Sequence, residues 1–220
     1  MVAGYAGVGK TSLVNEIRNT VDSRGGYFIS GKSDQFKRDI LYEPLIFAFR
    51  KLVLQLLFQS DAAVNNWKED LSRALGINGQ VIVDVIPELE MIIGKQPSVF
   101  ALPPVESRNR FHVIFQNFVS VFSTQTHPLV IFLDDLQWAD LPTLNLIELL
   151  MTNSVGDHLL FIGSYRDPDV GDDHPLTGIL DNIRQNSVNV GMICLKPLEL
   201  LHVKQLLAET FLAGLLIALL

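Results

Sequence analysis

The chain begins with residues whose types and spacing are suited to binding phosphate. Residues 4–11 read GYAGVGKT and match the pattern G-x-x-x-x-G-K-[ST]. Glycines allow a turn tight enough for successive backbone N–H groups to point at a phosphate. The lysine can reach the β- and γ-phosphates, and the threonine hydroxyl is a Mg²⁺ ligand. The spacing predicts a nucleoside triphosphate site with Mg²⁺, made by Gly4, Tyr5, Ala6, Gly7, Val8, Gly9, Lys10, Thr11 and Ser12. The alternative is a glycine turn that only precedes a helix.

Two aspartates follow a continuous apolar run later in the chain. Residues 129–133 read LVIFL and are followed by Asp134 and Asp135. Such a run is typical of a strand covered on both faces in a parallel sheet, where ligands collect at the carboxyl ends of strands. We expect Asp134 to hold Mg²⁺ together with Thr11, and Asp135 to orient or polarise an attacking water.

A purely structural role is the alternative for these acids, since aspartates after a strand also form polar turns and cap helices. For Asp140 we favour this alternative, because the residue directly precedes a run of helical period. For Asp134 we favour the metal-binding interpretation, because the phosphate loop independently requires such a partner.

The elements that must position these residues alternate along the chain. Short β-prone runs separated by segments of helical period predict an α/β fold with a parallel sheet. The stretch between Ser30 and Leu129 is too long for one crossover, so we interpret about 39–123 as a helical insertion. The predicted strands are 2–3, 27–30, 129–133, 159–163 and 188–195. The predicted helices are 11–22, 40–59, 64–75, 81–93, 107–122, 141–151, 176–184 and 198–207.

Composition excludes several classes of protein. The 220 residues are 48% hydrophobic and 19% charged, which argues against intrinsic disorder. A net charge of −7 argues against general nucleic-acid binding. Cys194 is the single cysteine, so an intrachain disulfide is impossible, and the five histidines lack zinc-ligand spacing. The apolar run 211–220 is too short to span a bilayer, and we expect no signal peptide, because Met1 is followed almost at once by Gly4 and Lys10 and not by a basic and then an apolar stretch. We therefore expect a cytoplasmic protein without a membrane span.

Three motifs in order carry a resemblance to a known family. GYAGVGKT, LVIFLDDLQWAD at 129–140 and LLFIGSYRD at 159–167, with Gly-Lys-Ser at 31–33, resemble the AAA-like, STAND-type ATPase module of bacterial multi-sensor serine/threonine and histidine kinases. The resemblance covers about residues 2–198. It implies a P-loop NTPase fold with strand order 5-1-4-3-2, ATP as the nucleotide, and other domains or subunits of a signalling kinase as partners, with oligomerisation open.

The resemblance also implies roles for residues. Arg166 matches an arginine that senses the γ-phosphate, although a surface pair with Asp167 or Asp169 is the alternative. Asp135 stands where many relatives have a catalytic glutamate, so slow, switch-like hydrolysis and steady turnover both stay open. Gln137 could help to place a water, but it is the weaker candidate.

The resemblance leads to a domain division and three functional hypotheses. We expect an ATPase domain over 1–197 and the start of a helical region over 198–220, within a larger signalling protein. The first hypothesis is an ATP–Mg²⁺-binding regulatory module of a signal-transduction protein, with ATP hydrolysis left open. The second is a nucleotide-binding scaffold or switch without turnover. The third is part of a kinase whose catalytic domain lies elsewhere, because kinase motifs are absent from these residues.

Overall fold

A parallel sheet forms the centre of the computed structural model, which describes residues 1–36, 40–153, 158–205 and 207–208. The strands pair in parallel in the order β2-β3-β4-β1-β5. Read from the other edge this is 5-1-4-3-2, which confirms the predicted α/β P-loop NTPase fold. The strands are β1 (Val2–Gly4), β2 (Tyr27–Lys32), β3 (Leu129–Asp134), β4 (Leu159–Tyr165) and β5 (Ile193–Leu195).

Strand β3 explains the uninterrupted apolar run noted in the sequence. Leu129, Ile131 and Leu133 pack into one apolar cluster, whereas Val130 and Phe132 pack into another on the opposite face. A strand covered on both faces needs apolar side chains at every position. The run therefore places β3 inside the sheet, with its carboxyl end carrying the two aspartates.

The helices lie on both sides of this sheet. The segment predicted as one helix over 11–22 is divided at Glu16 into two helices. Of the strand predicted over 188–195, only Ile193–Leu195 forms a strand, which is β5. β5 is short because β1 offers it only three partners, from Val2 opposite Ile193 to Gly4 opposite Leu195. The helices are α1 (Lys10–Asn15), α2 (Ile17–Ser23), α3 (Glu43–Leu56), α4 (Asp61–Leu75), α5 (Gly79–Val83), α6 (Glu90–Ile93), α7 (Pro104–Phe122), α8 (Leu141–Thr152) and α9 (Pro175–Gln185).

Helices α3 to α7 occupy the chain between β2 and β3, where the sequence predicts an insertion. Their core is aromatic: Phe49 of α3 packs against Phe115, Phe118 and Phe122 of α7, with ring centroids 5.2–6.2 Å apart. These phenylalanines are fully buried and belong to the same apolar cluster as alternate residues of β3. The helical segment and the sheet thus share one core, and the domain boundaries stay a prediction.

The chain after β5 is helical over 200–205, within the helix predicted for 198–207. The apolar run 211–220 lies outside the described residues. Within the described part, no helix combines the length and apolarity that crossing a membrane would need.

Candidate functional site

The loop after β1 has a backbone conformation that requires glycine. Gly4, Gly7 and Gly9 have φ angles of 147°, 74° and 97°, a region that other residues rarely adopt. A Cβ on Gly7 or Gly9 would meet no atom within 4 Å, so conformation and not crowding selects glycine there. At Gly4 a Cβ would also lie 2.6 Å from the carbonyl oxygen of Leu195. The loop between Gly4 and α1 is largely exposed, as a ligand site requires.

Lys10 is folded back under this loop. Its side chain is buried, and Nζ donates to the carbonyl oxygens of Gly4 and Tyr5, both at 2.9 Å. An ammonium group has three donors, so one remains for a further acceptor. The charge is therefore held beneath the loop and can still reach an anion. Ser12, the last residue of the predicted set, is exposed on α1.

Thr11 and Asp134, the two predicted metal ligands, meet directly. Oγ1 of Thr11 donates to Oδ2 of Asp134 at 2.7 Å, although the residues are 123 positions apart. Oδ1 of Asp134 accepts the Ser164 hydroxyl and, at 3.1 Å, the backbone N–H of Asp135. The carboxylate of Asp134 is consequently fixed among the ends of β3 and β4 and the start of α1.

Asp135 has a different environment, dominated by cations. Its Oδ1 accepts from Nε2 of Gln137 at 3.0 Å and pairs with Nε of Arg166 at 3.5 Å, while Oδ2 pairs with Nζ of Lys32 at 3.2 Å. Burial by itself raises the pKa of Asp135. The hydrogen bonds from Gln137 and Lys32 and the charges of Lys32 and Arg166 outweigh burial, so the pKa lies below its ordinary value. The carboxylate is therefore ionised at neutral pH.

The backbone of Asp135 is also unusual. Its φ of 56° and ψ of 46° are left-handed, a conformation that aspartate tolerates better than most residues but that is still uncommon. Such conformations concentrate at functional sites, where the surrounding structure enforces them. Here the turn brings the side chain of Asp135 between the ends of β2 and β4.

Gln137 connects Asp135 to two further elements. Its side chain is buried, and Oε1 accepts from the backbone N–H of Arg166 at 3.2 Å. Its carbonyl oxygen lies 3.3 Å from Nε2 of His174, whose Nδ1 accepts from the N–H of Leu176 at 3.1 Å. Because Nδ1 accepts, the proton sits on Nε2 and His174 donates to Gln137. His174 thus caps α9 and steadies Gln137.

The structure brings together every side chain predicted to act on a phosphate or metal. Lys10, Thr11, Asp134, Asp135 and Arg166 gather at the carboxyl edge of the sheet, and Arg166 pairs there with Asp135 and not, within the described residues, with Asp167 or Asp169. Their roles toward a ligand remain predictions.

Three polar residues of the site received no firm role from the sequence. Lys32 lies in the Gly-Lys-Ser motif and Ser164 in the LLFIGSYRD motif, but neither was given a role. Gln137 was only the weaker candidate for placing a water. The available signal was position, because Lys32 ends β2 and Ser164 lies near the end of β4, next to the acids that end β3. The cap at Asp140 is confirmed, since its Oδ1 accepts the N–H of Thr143 at 2.8 Å.

The donor set suits a hard cation with few protein ligands. Among the described residues, no group of three or more histidine, cysteine or acidic side chains could enclose a metal ion. One hydroxyl and one carboxylate, as in Thr11 and Asp134, match Mg²⁺, which keeps several waters and takes its remaining ligands from phosphate. The pair therefore fits Mg²⁺ in the company of a nucleotide.

A glycine-rich loop on β1, with a lysine folded beneath it and an acid on β3 across β4, defines a P-loop NTPase. Residues 1–162 match the family described as AAA ATPase domain, and the chain belongs to that family. Membership identifies a nucleotide-binding domain.

Two curated relatives are signalling kinases. The chain is 42% identical over 154 residues to "Hybrid signal transduction histidine kinase G" of Dictyostelium discoideum, a match that covers 70% of this chain and 4% of the relative. It is 24% identical over 153 residues to "Histidine protein kinase 1" of Candida albicans, covering 62% and 6% respectively. The chain thus spans a small part of the relatives it matches. No solved structure matches it. The findings confirm an AAA-like module of the kind found in signalling kinases.

Proposed function

We propose that this chain binds ATP with Mg²⁺ and acts as a nucleotide-dependent regulatory module in signal transduction. The observation that carries the proposal is the 2.7 Å contact between Oγ1 of Thr11 and Oδ2 of Asp134. The two side-chain oxygens come from distant parts of the sequence and meet beside the glycine-rich loop, which supports a site for a nucleotide-bound Mg²⁺.

In this proposal, different residues of the site contact the phosphates and the metal ion. The backbone of residues 4–9 and the free donor of Lys10 would hold the phosphates, and Thr11 and Asp134 would hold Mg²⁺. Mg²⁺ supplies charge that neutralises the phosphate oxygens when it is bound. Adenine as the base is supported by the family description, which names an ATPase. The sequence also contains no guanine-reading motif.

Asp135 and Arg166 are the candidates for catalysis. A charged carboxylate can orient a water and accept its proton, and a guanidinium can grip two phosphate oxygens. In the described state these two side chains pair with each other, and Lys32 and Gln137 also contact the carboxylate of Asp135. These partners lower the pKa of Asp135, which makes its carboxylate a weaker proton acceptor for a water. We therefore propose slow hydrolysis, typical of a nucleotide-held switch.

A switch without turnover is the second candidate. It is favoured by the same observation, because both oxygens of Asp135 are engaged. Kinase chemistry, in contrast, would belong to other parts of a signalling protein, as the names of the two relatives suggest for those proteins. A cytoplasmic location and contacts with other domains of such a kinase complete the proposal.

Calorimetric titration tests nucleotide binding. The wild type is titrated with ATP, ADP and GTP, with and without Mg²⁺, beside Lys10→Ala, Asp134→Asn and the surface control Lys68→Ala. We expect Lys10→Ala to weaken ATP binding by about 10–100-fold, the loss of a charged hydrogen bond, and Asp134→Asn to remove the Mg²⁺ dependence. Equal ATP affinity in the wild type and Lys10→Ala would refute the proposed site.

Phosphate release separates the two candidates. The wild type and Asp135→Asn are compared at saturating ATP, with the titration above as proof of binding. A slow release that disappears in Asp135→Asn supports hydrolysis. Tight binding with no release from either protein leaves the switch without turnover.

A further inference from the structure

A polar cleft of about 500 Å³ lies at the amino ends of two strands, away from the candidate nucleotide site. Its lining includes Tyr27, the first residue of β2, and His127, which lies shortly ahead of β3. Helix α4 forms the other side. Small-molecule sites usually have volumes of about 300–1,000 Å³. The nucleotide residues gather at the opposite, carboxyl ends of the strands, so the cleft needs a separate explanation.

Three aromatic rings form one wall of the cleft. The ring centroid of Trp67 in α4 lies 6.0 Å from that of Tyr27 and 5.2 Å from that of His127. The rings of Tyr27 and His127 are stacked, with their centroids 6.1 Å apart. Trp67 also packs against the fully buried Phe122 of α7 at 5.4 Å, so the core holds the indole in place. The wall is therefore ordered and rich in π electrons.

A glutamine side chain fixes two of these rings. Nε1 of Trp67 donates to Oε1 of Gln59 at 3.1 Å, and Nε2 of Gln59 donates to the hydroxyl oxygen of Tyr27 at 3.2 Å. An indole has a single N–H, which Gln59 already accepts, so Trp67 offers a ligand no further donor. The face of an aromatic ring carries partial negative charge, and this wall consequently attracts a cation more than an anion.

Two carboxylates complete the lining on the α4 side. Asp70 pairs with the exposed Arg73 at 2.9 Å, whereas Glu69 forms no ion pair within the part of the chain that the structure describes. The described lining contains neither lysine nor arginine. The cleft therefore carries negative charge beside its aromatic wall, and the net charge of −7 of the chain adds to the attraction for cations.

The kind of cation follows from the lining. A bare metal ion does not fit, because no group of three or more histidine, cysteine or acidic side chains among the described residues could hold one. An anion would face the two carboxylates. An organic cation matches both features of the cleft, since its charge pairs with Glu69 while its hydrocarbon part lies against the rings.

We propose that this cleft binds a small organic cation of the alkylammonium class. The ammonium group lies between the carboxylate of Glu69 and the rings of Tyr27 and Trp67, where charge pairing and cation–π attraction act together. The side-chain amide of Asn66, also in the lining, is available to a hydroxyl group of the ligand. The site does not depend on nucleotide, so its failure would leave the proposed function untouched.

Choline and its uncharged isostere test the role of charge in the full chain. The ligands are choline, ethanolamine and 3,3-dimethylbutan-1-ol, which has the shape of choline without the charge, and NaCl keeps the ionic strength constant. Fluorescence is read in a Trp138→Phe background, which leaves Trp67 as the single tryptophan. We expect saturable binding of a cation with a Kd of about 1 mM or below, and binding of the isostere weaker by about 10-fold. Failure of both cations, or equal affinity for choline and the isostere, would overturn the proposal.

A charge-removing variant locates the binding. Glu69→Gln keeps the shape of the side chain and should weaken choline binding by about 2–5-fold, the range of an exposed ion pair, while affinity for the isostere stays constant. Glu106→Gln, an exposed glutamate on α7 outside the cleft, is the matched control and should bind choline like the wild type. Unchanged choline affinity in Glu69→Gln, or an equal loss in both variants, contradicts the site.

A lysine side chain of a polypeptide carries the same ammonium group and is a separate outcome. The tripeptide acetyl-Gly-Lys-Gly-amide is titrated under the same conditions. We expect it to bind more weakly than the better of the two small cations. Tighter binding of the tripeptide would assign the cleft to a lysine side chain and overturn the assignment to a small molecule.

Discussion

At the residue scale, the two adjacent aspartates have separate environments. Asp134 accepts hydrogen bonds from the hydroxyl groups of Thr11 and Ser164, whereas Asp135 lies between the cations Lys32 and Arg166. Neutral donors leave the charge of Asp134 available to a metal ion, while the cations already compensate Asp135. This difference in environment supports metal binding as the role of Asp134 and the positioning of a water as the role of Asp135.

Replacing Lys32 tests how strongly Asp135 is restrained. Lys32→Met removes the partner of Oδ2 while leaving the hydrogen bond from Gln137. If pairing holds Asp135 away from water, phosphate release should rise by about 2–5-fold, the range that corresponds to an exposed ion pair worth up to about 1 kcal/mol. Lys68→Met serves as the control. A lower rate with unchanged ATP affinity would mean that Lys32 assists catalysis instead.

The lowered pKa of Asp135 predicts a specific dependence of stability on pH. Its folded pKa lies below the unfolded value of about 4, so the charged pairing stabilises the protein above that value. This contribution is lost as pH falls through the folded pKa. Urea titrations between pH 6 and about pH 2 should therefore show a steeper loss of unfolding free energy for the wild type than for Asp135→Asn. Parallel curves would exclude this linkage.

At the element scale, a glycine sets how closely β2 and α3 approach. A Cβ on Gly31 would lie 2.0 Å from the Pro44 carbonyl oxygen, and a backbone atom cannot rotate away. The contact positions the end of β2, and with it Lys32, against the start of α3. Position 31 therefore requires glycine because of close packing, and not because the chain turns there.

Gly31→Ala should separate these two elements and lower the free energy of unfolding by about 1–3 kcal/mol, the usual cost of overpacking. Gly178→Ala is the matched control, because Gly178 is exposed on α9 and a Cβ there meets nothing within 4 Å. That control should be neutral or stabilising by up to about 1 kcal/mol. Equal midpoints of urea unfolding for the two variants would contradict the packing role.

At the scale of the whole molecule, one apolar cluster joins the helices α3 to α7 with the sheet. It contains Phe118 of α7 together with Ile131 of β3 and Leu144 of α8. Because these residues share a core, the helical segment and the nucleotide-binding sheet should unfold together.

Phe118→Ala should lower the free energy of unfolding by about 3–5 kcal/mol, since it leaves a cavity in a fully packed site. Phe58→Ala is the control, because Phe58 is 90% exposed and its loss should cost less than about 0.5 kcal/mol. Fluorescence of Trp67 in α4 and of Trp138 near Asp135 should report a single urea transition in both variants. Two separate transitions would show that the helical segment folds as a unit of its own.

The sequence by itself was sufficient to predict the phosphate loop, the strand that ends in two aspartates, and a parallel α/β fold. The strand order was predicted through the family resemblance. These features are written in contiguous residues, such as GYAGVGKT and LVIFLDD, whose spacing carries their chemistry. Only the tertiary structure decided which side chains meet: Lys32 and Arg166 contact Asp135, and Ser164 contacts Asp134. Those contacts depend on the register between strands far apart in the chain, and no local pattern encodes that register.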